Sequence, residues 1–276
     1  MNILTIDIEE WYTYELYPKG GKTYYLPIIN SYLDKILDML DASGTKGTFF
    51  CLGVIARTSP DVIKRIYSRG HDIGCHSDIH QFVTDLDYGS FYKDTKLAID
   101  CLEQLIGEKI TMYRAPAFSI TAENMWALDV LIDNGILYDS SIFPAKRRFG
   151  GLPSININEP VKLKTQSGAV IREFPISYYC FLGKRIIFSG GGYFRLFPYW
   201  LIKYLSNKKQ YNLAYFHIRD MDKEQKIVSN VNQFYSYYGI KQAYKKFEKY
   251  VKEYQFMSLS QASKIINWDD TPEIKI

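Results

Sequence analysis

The residues most able to do chemistry in this chain lie in two short stretches, TIDIEEW at 5–11 and GCHSDIHQF at 74–82. In the first, Asp7 and Glu9 are two apart, so on a strand both carboxylates project from one face while Ile8 turns to the other. In the second, His76 and His80 are four apart, and both imidazoles reach one metal ion if the residues between them form a helical turn. A metal site needs at least three protein ligands. Glu9 can be the third, with Glu10 as a competing carboxylate. Two histidines and one carboxylate leave coordination positions open to water and substrate, the arrangement of a catalytic rather than a structural metal. Of the two remaining histidines, His217 closes a late apolar strand in AYFHIRD, whereas His71 in RGHDIG precedes its strand and reads as structural. Arg114, in YRAPAF at another strand end, would hold Asp7 ionised and oriented if the two are buried together.

Strands and helices that alternate along the chain must position these groups. NILTID reads as a strand, and INSYLDKILDMLDASG as a helix with Leu33, Ile36, Leu37 and Leu40 at helical spacing. TKGTFFCLG is a buried strand, SPDVIKRIYSRG a helix with Ser59 before Pro60, and HDIGCH a third strand. The rhythm continues through SFYKDTKLAIDCLEQLIG, KITMYRAP, TAENMWALDVLIDNG and ILYDSSIF, with Thr121 as a helix cap. It breaks over about 145–198, where KRRFGGLPSININEP and FSGGGYFRLFP read as loops or hairpins. LFPYWLIKYLSNK, YNLAYFHI and YKKFEKYVKEY then restore helix, strand and helix. Repeated βα units with short connections imply an α/β fold on a parallel sheet, open or closed into a barrel. No linker interrupts the 276 residues, so a single domain over 1–276 with a loop-rich insertion around 145–198 is expected.

Composition narrows the function classes. Hydrophobic residues make up 47% and charged residues 23%, a globular balance that can bury a sizeable core. The formal charge of +4 is spread along the chain and offers no nucleic-acid footprint. Cys51, Cys75, Cys101 and Cys180 form no CxxC pair, which argues against structural zinc or a disulfide framework and for buried thiols. No stretch is apolar enough for a membrane span. The opening run lacks the basic start and long apolar segment of a signal peptide, so a cytoplasmic protein is expected.

Taken in order, TIDIEEW, GTFFCLG, GHDIGCHSDIH, YRAPAFS, YDSSIFP and LAYFHI resemble the motif series of the polysaccharide deacetylases, carbohydrate esterase family four. YDSSIFP with GGGYFRLFP is similar to the branch associated with bacterial exopolysaccharides and surface glycans. The resemblance implies a distorted (β/α) barrel of about seven strands rather than a full eight. It also implies one divalent metal, zinc foremost, and hydrolysis of N-acetyl groups on the amino sugars of a glycan or glycan precursor. Asp7 then matches the general base, His76 and His80 the metal-binding histidines, Arg114 the partner of the base and His217 the general acid. Glu9 stands where an acid-x-acid pattern places the carboxylate ligand. Asp139 and Glu173 are the candidates for the acidic partner of His217. A backbone N–H near Ala117 or Phe118 would help hold the oxyanion, and Trp11, Phe118 and Tyr193 are candidate sugar-stacking aromatics. Hydrolysis of another C–N bond, as in small cyclic amides, and an inactive glycan-binding relative are the alternatives.

Overall fold

The computed structural model describes residues 1–9, 28–223 and 237–276. Trp11 and Glu10 lie outside the described residues. Strand β1 (Asn2–Ile8) leads to helix α1 (Ile28–Ala42), and β2 (Thr48–Cys51) to α2 (Gly53–Thr58) and α3 (Pro60–Ser68). Then come β3 (Asp72–Cys75), α4 (Tyr88–Ile106), β4 (Met112–Tyr113), α5 (Ala127–Asp133) and β5 (Tyr138–Asp139). The supposed insertion holds four strands, β6 (Val161–Lys164), β7 (Val170–Glu173), β8 (Tyr178–Phe181) and β9 (Lys184–Ile187), followed by the short helix α6 (Gly191–Leu196). The chain finishes with α7 (Tyr199–Asn207), β10 (Asn212–His217), α8 (Ile240–Glu253), β11 (Phe256–Met257), α9 (Leu259–Ile265) and β12 (Glu273–Lys275).

Seven strands run parallel in the order β10-β1-β2-β3-β4-β5-β7, so β7 is a stave of the central sheet rather than part of a loop. The antiparallel β6 and then β12 extend the sheet beyond β7. Among the described residues no ladder joins β7 to β10. That gap is bridged by hydroxyl groups: Tyr211 Oη donates to the Pro175 carbonyl at 2.8 Å, the Leu213 N–H to Ser177 Oγ at 2.8 Å and Ser189 Oγ to the Leu213 carbonyl at 2.8 Å. The result is an α/β fold of the distorted (β/α)-barrel kind.

Alternation along the strands creates two cores. On β1, Leu4, Ile6 and Ile8 face the helices and join one large apolar cluster, whereas Ile3 belongs to a second, inner cluster with Phe50, Phe143 and Tyr215. Residues of one face recur every second position, so Asp7 sits above Ile3 and Thr5, and His217 above Leu213 and Tyr215. Both lie at the C-terminal ends of parallel strands, where barrels expose their chemistry. Helix α4 starts on Asp87, whose carboxylate accepts the Ser90 N–H at 2.7 Å, and stops at the left-handed Gly107. Ser59 makes no side-chain cap, and Thr121 belongs to a turn ahead of α5 rather than to its N-cap. Cys51 and Cys75 are buried free thiols, while Cys180 is exposed.

Candidate active site

Asp7 and His217 are register partners across the β1–β10 ladder, which places a carboxylate beside an imidazole at one end of the barrel. Glu9 follows directly and is 2% exposed. Ile8 packs in the outer core, so the two acids do share a face.

His76 and His80 reach them by a loop, not by a helical turn. Ser77 and His80 adopt left-handed backbone conformations, φ 69° and 65°, which cost a non-glycine residue roughly 1–3 kcal/mol each. A dense set of bonds holds the loop in place. His76 N–H donates to the Cys51 carbonyl, Gly53 N–H to that of Ser77 and Val54 N–H to that of Asp78. Ser77 Oγ accepts the His80 N–H at 3.0 Å, and the Asp78 carboxylate receives both guanidinium amines of Arg57, at 2.5 and 2.9 Å. Gly53 is required here, because a Cβ would come within 2.3 Å of Asp78 Oδ1.

Three of these side chains form a group that could hold a metal ion. Glu9, His76 and His80 each offer a ligand atom within 4.8 Å of the others, and all three are buried. His80 Nε2 lies 2.7 Å and His76 Nε2 3.7 Å from Glu9 Oε2. His76 Nδ1 is 2.7 Å from the Arg114 carbonyl, so it carries the proton and leaves Nε2 as a lone-pair donor. Burial lowers the pKa of His80 despite Glu9, which favours the neutral, metal-binding imidazole. Burial raises that of Glu9, but His80, His217 and Arg219 outweigh it and keep the carboxylate ionised.

Arg114 is fully buried, and Nη1 donates to Asp7 Oδ1 at 2.8 Å while Nε and Nη2 go to the Ser140 carbonyl and Oγ. Asp7 Oδ2 is thereby turned towards His217 Nε2, 3.8 Å away. His217 Nδ1 lies 2.8 Å from Asp220 Oδ2, which also accepts the His217 N–H, and Arg195 Nε approaches Asp220 Oδ1 at 3.3 Å. The acidic partner of His217 is therefore Asp220, in the turn after β10, and neither Asp139 nor Glu173. Burial lowers the His217 pKa, yet Glu9 and Asp220 together raise it above the ordinary value. Asp139 and Glu173 are register partners on β5 and β7, where Ser141 Oγ donates to Asp139 and the Ile142 N–H to Glu173.

Asp7, Glu9, His76, His80 and His217 line one cavity of about 180 Å³. Phe82, Phe149, Arg147 and Arg219 also line it; none of the four was a candidate site residue in the sequence, where Arg147 reads as part of a solvated basic cluster. Phe118 also lines it, but it is 3% exposed and packed by Phe143 and Tyr215, so it is a wall and not an open sugar platform. Tyr193 sits exposed on α6 and does not line the cavity. The Phe118 N–H is spent on the Ala115 carbonyl, which leaves Ala117 as the oxyanion candidate. His71 stays structural, accepting the Gly47 N–H at 3.2 Å.

Residues 13–131 match the polysaccharide deacetylase family model, and residues 140–264 match a domain of unknown function, DUF3473. An uncharacterised 30.6 kDa protein of Geobacillus stearothermophilus is 34% identical over 36% of this chain and 37% of its own length. A peptidoglycan-N-acetylglucosamine deacetylase of Bacillus cereus is 26% identical over 44% of this chain and 45% of its own. The chain thus spans less than half the length of these relatives. A provisionally assigned polysaccharide deacetylase of Mycobacterium smegmatis has the same fold, with a TM-score of 0.65 at 20% identity over 99% of this chain and 92% of that one.

Proposed function

From the match of residues 13–131 to the polysaccharide deacetylase family model, we propose that this chain is a metal-dependent hydrolase removing N-acetyl groups from the amino sugars of a polysaccharide or glycan precursor. One observation carries the reading: three candidate ligand atoms, a base and an acid from three separate segments converge on one cavity. A divalent ion held by Glu9, His76 and His80, zinc foremost, would supply a water of lowered pKa and Lewis-acid polarisation of the acetyl oxygen.

An amide is a poor electrophile with a poor leaving group, so the protein must move two protons. Asp7 takes one at Oδ2, because Arg114 occupies Oδ1 and fixes the direction of the other oxygen. His217 gives one from Nε2 to the departing amine. Its Nδ1–H···Asp220 bond fixes the ring and stabilises the imidazolium. Arg195 in turn holds Asp220. Phe82, Phe149 and Phe118 restrict the cavity and keep bulk water from the reacting carbonyl.

The small cavity keeps hydrolysis of a small cyclic amide as a second reading, but charged walls fit a polar sugar better than an apolar ring. Acetate release from N-acetylated sugars, measured beside metal content, tests the proposal. Wild-type protein should bind about one ion per chain, and His76→Ala and His80→Ala should each lose both the ion and the activity. Full metal uptake by both variants would sink the ligand assignment.

A further inference from the structure

Four arginines border the site, and three of them have a carboxylate. Arg114 pairs with Asp7, Arg195 with Asp220 and Arg219 with Glu9 at 3.5 Å. Arg147 does not. Among the described residues no carboxylate forms an ion pair with it, and its Nη1 is shut off from solvent without a hydrogen-bond partner. Its guanidinium lies over Phe143 at 4.6 Å and Phe118 at 5.2 Å and lines the cavity beside His217 and the three ligand residues. Tyr215 meets the Arg147 side chain through its hydroxyl, but it is a neutral phenol, with a pKa raised to about 12 by burial, and supplies no counter-charge.

Stacking on two rings does not replace the counter-ion, since a guanidinium N–H removed from water costs more than such contacts return. The loop is nevertheless built to keep it there. Arg147 N–H donates to the Gly150 carbonyl, and Gly151 N–H to that of Phe118. A Cβ on Gly150 would lie 2.1 Å from Phe118 O, and the turn it clamps carries two left-handed residues, Ala117 and Phe118. An oriented cation with no carboxylate partner among the described residues, lining the candidate active-site cavity, fits a recognition group.

We infer that Arg147 binds an anionic substituent of the substrate, so that this hydrolase prefers N-acetylated sugars carrying a carboxylate or a phosphate within one sugar unit of the acetamido group. The inference rests on the deacetylase reading above.

The test compares metal-loaded wild type, Arg147→Gln and Arg147→Lys on three substrates: a neutral N-acetylglucosamine oligomer, an N-acetylated sugar acid and a nucleoside-diphosphate N-acetyl sugar. Wild type should favour at least one anionic substrate in kcat/KM. The anionic-to-neutral ratio should fall about tenfold or more in Arg147→Gln, mainly through KM, and recover in part in Arg147→Lys. Which anion is favoured identifies carboxylate or phosphate as the natural group. A wild type without preference, or a ratio unmoved in Arg147→Gln with an unchanged melting temperature, overturns the inference. If none of the substrates releases acetate, the deacetylase reading has failed instead. Calorimetric titration of the same ligands then decides separately whether anion-dependent binding exists and requires Arg147.

Discussion

Two groups of buried acids stand at the strand ends of this barrel, and they differ in company rather than in depth. Asp7, Glu9 and Asp220 line or border the cavity; Asp139 and Glu173 pair across β5 and β7, and all five are at most 5% exposed. Around the first group stand Arg114, His80, His217, Arg195 and Arg219. There the charges outweigh burial, and the pKa values of Glu9 and Asp220 are driven down. Around the second, burial and the mutual repulsion of the two carboxyls drive Glu173 well up, and burial raises Asp139 as well. Arg114 touches both regions, yet its three donating nitrogens go to Asp7 and Ser140. Glu9 and Asp220 are therefore held ionised by the charges folded in beside them, and Glu173, with none so placed, is not.

The sharpest break in this comparison is Asp7→Asn. The side chain keeps its size but can no longer take a proton, so acetate release should fall by about 10²–10⁴-fold. Metal content should stay unchanged, because Asp7 is not among the three ligand residues. Activity within a few-fold of wild type would mean that the cations around Asp7 serve only the fold.

The same contrast explains what could be read in the sequence. Asp7 with Glu9 was legible because a two-residue spacing on a strand brings groups together through local geometry alone, and His76 with His80 because two histidines four apart in the sequence mark a candidate pair. The helical-turn expectation for the histidines was wrong because the loop is shaped by tertiary bonds to α2 and Arg57. Asp220 was three residues from His217 and still missed, since strand periodicity ends at His217 and carries no sign of the turn that folds back. Asp139 and Glu173 looked equivalent to it as strand-end acids, and only the placement of Arg195 and Arg114 separates them. Barrel closure through Ser177 and Ser189 left no periodic signal at all.

Asp220→Asn sharpens the comparison by removing one charge while leaving a hydrogen-bond acceptor for His217. Burial lowers the His217 pKa and the acids raise it, so losing one of them moves it down. The acid form is then lost at lower pH. The alkaline limb of the kcat/KM profile should shift towards acid, with about a ten- to hundredfold loss at neutral pH. An unmoved limb would show that His217 is not the group that titrates there.

The smallest effect on activity belongs to the other region, in Glu173→Gln. Neutral Glu173 accepts the Ile142 N–H and turns its other oxygen to Asp139; a glutamine amide reproduces both roles without titrating. Because the folded pKa of Glu173 lies above its unfolded value, its contribution is fully present below the unfolded pKa and is lost as pH rises towards the folded one. Wild type therefore gives up about 1.4 kcal/mol for each pKa unit crossed in that window, and the variant does not. Urea unfolding at pH 5 should find the two proteins close in stability, and at pH 8 the variant should be the more stable by about 1 kcal/mol or more. Acetate release should change less than threefold. A variant less stable at both pH values would place an ionised, paired Glu173 in the native state and erase the distinction between the two groups of acids.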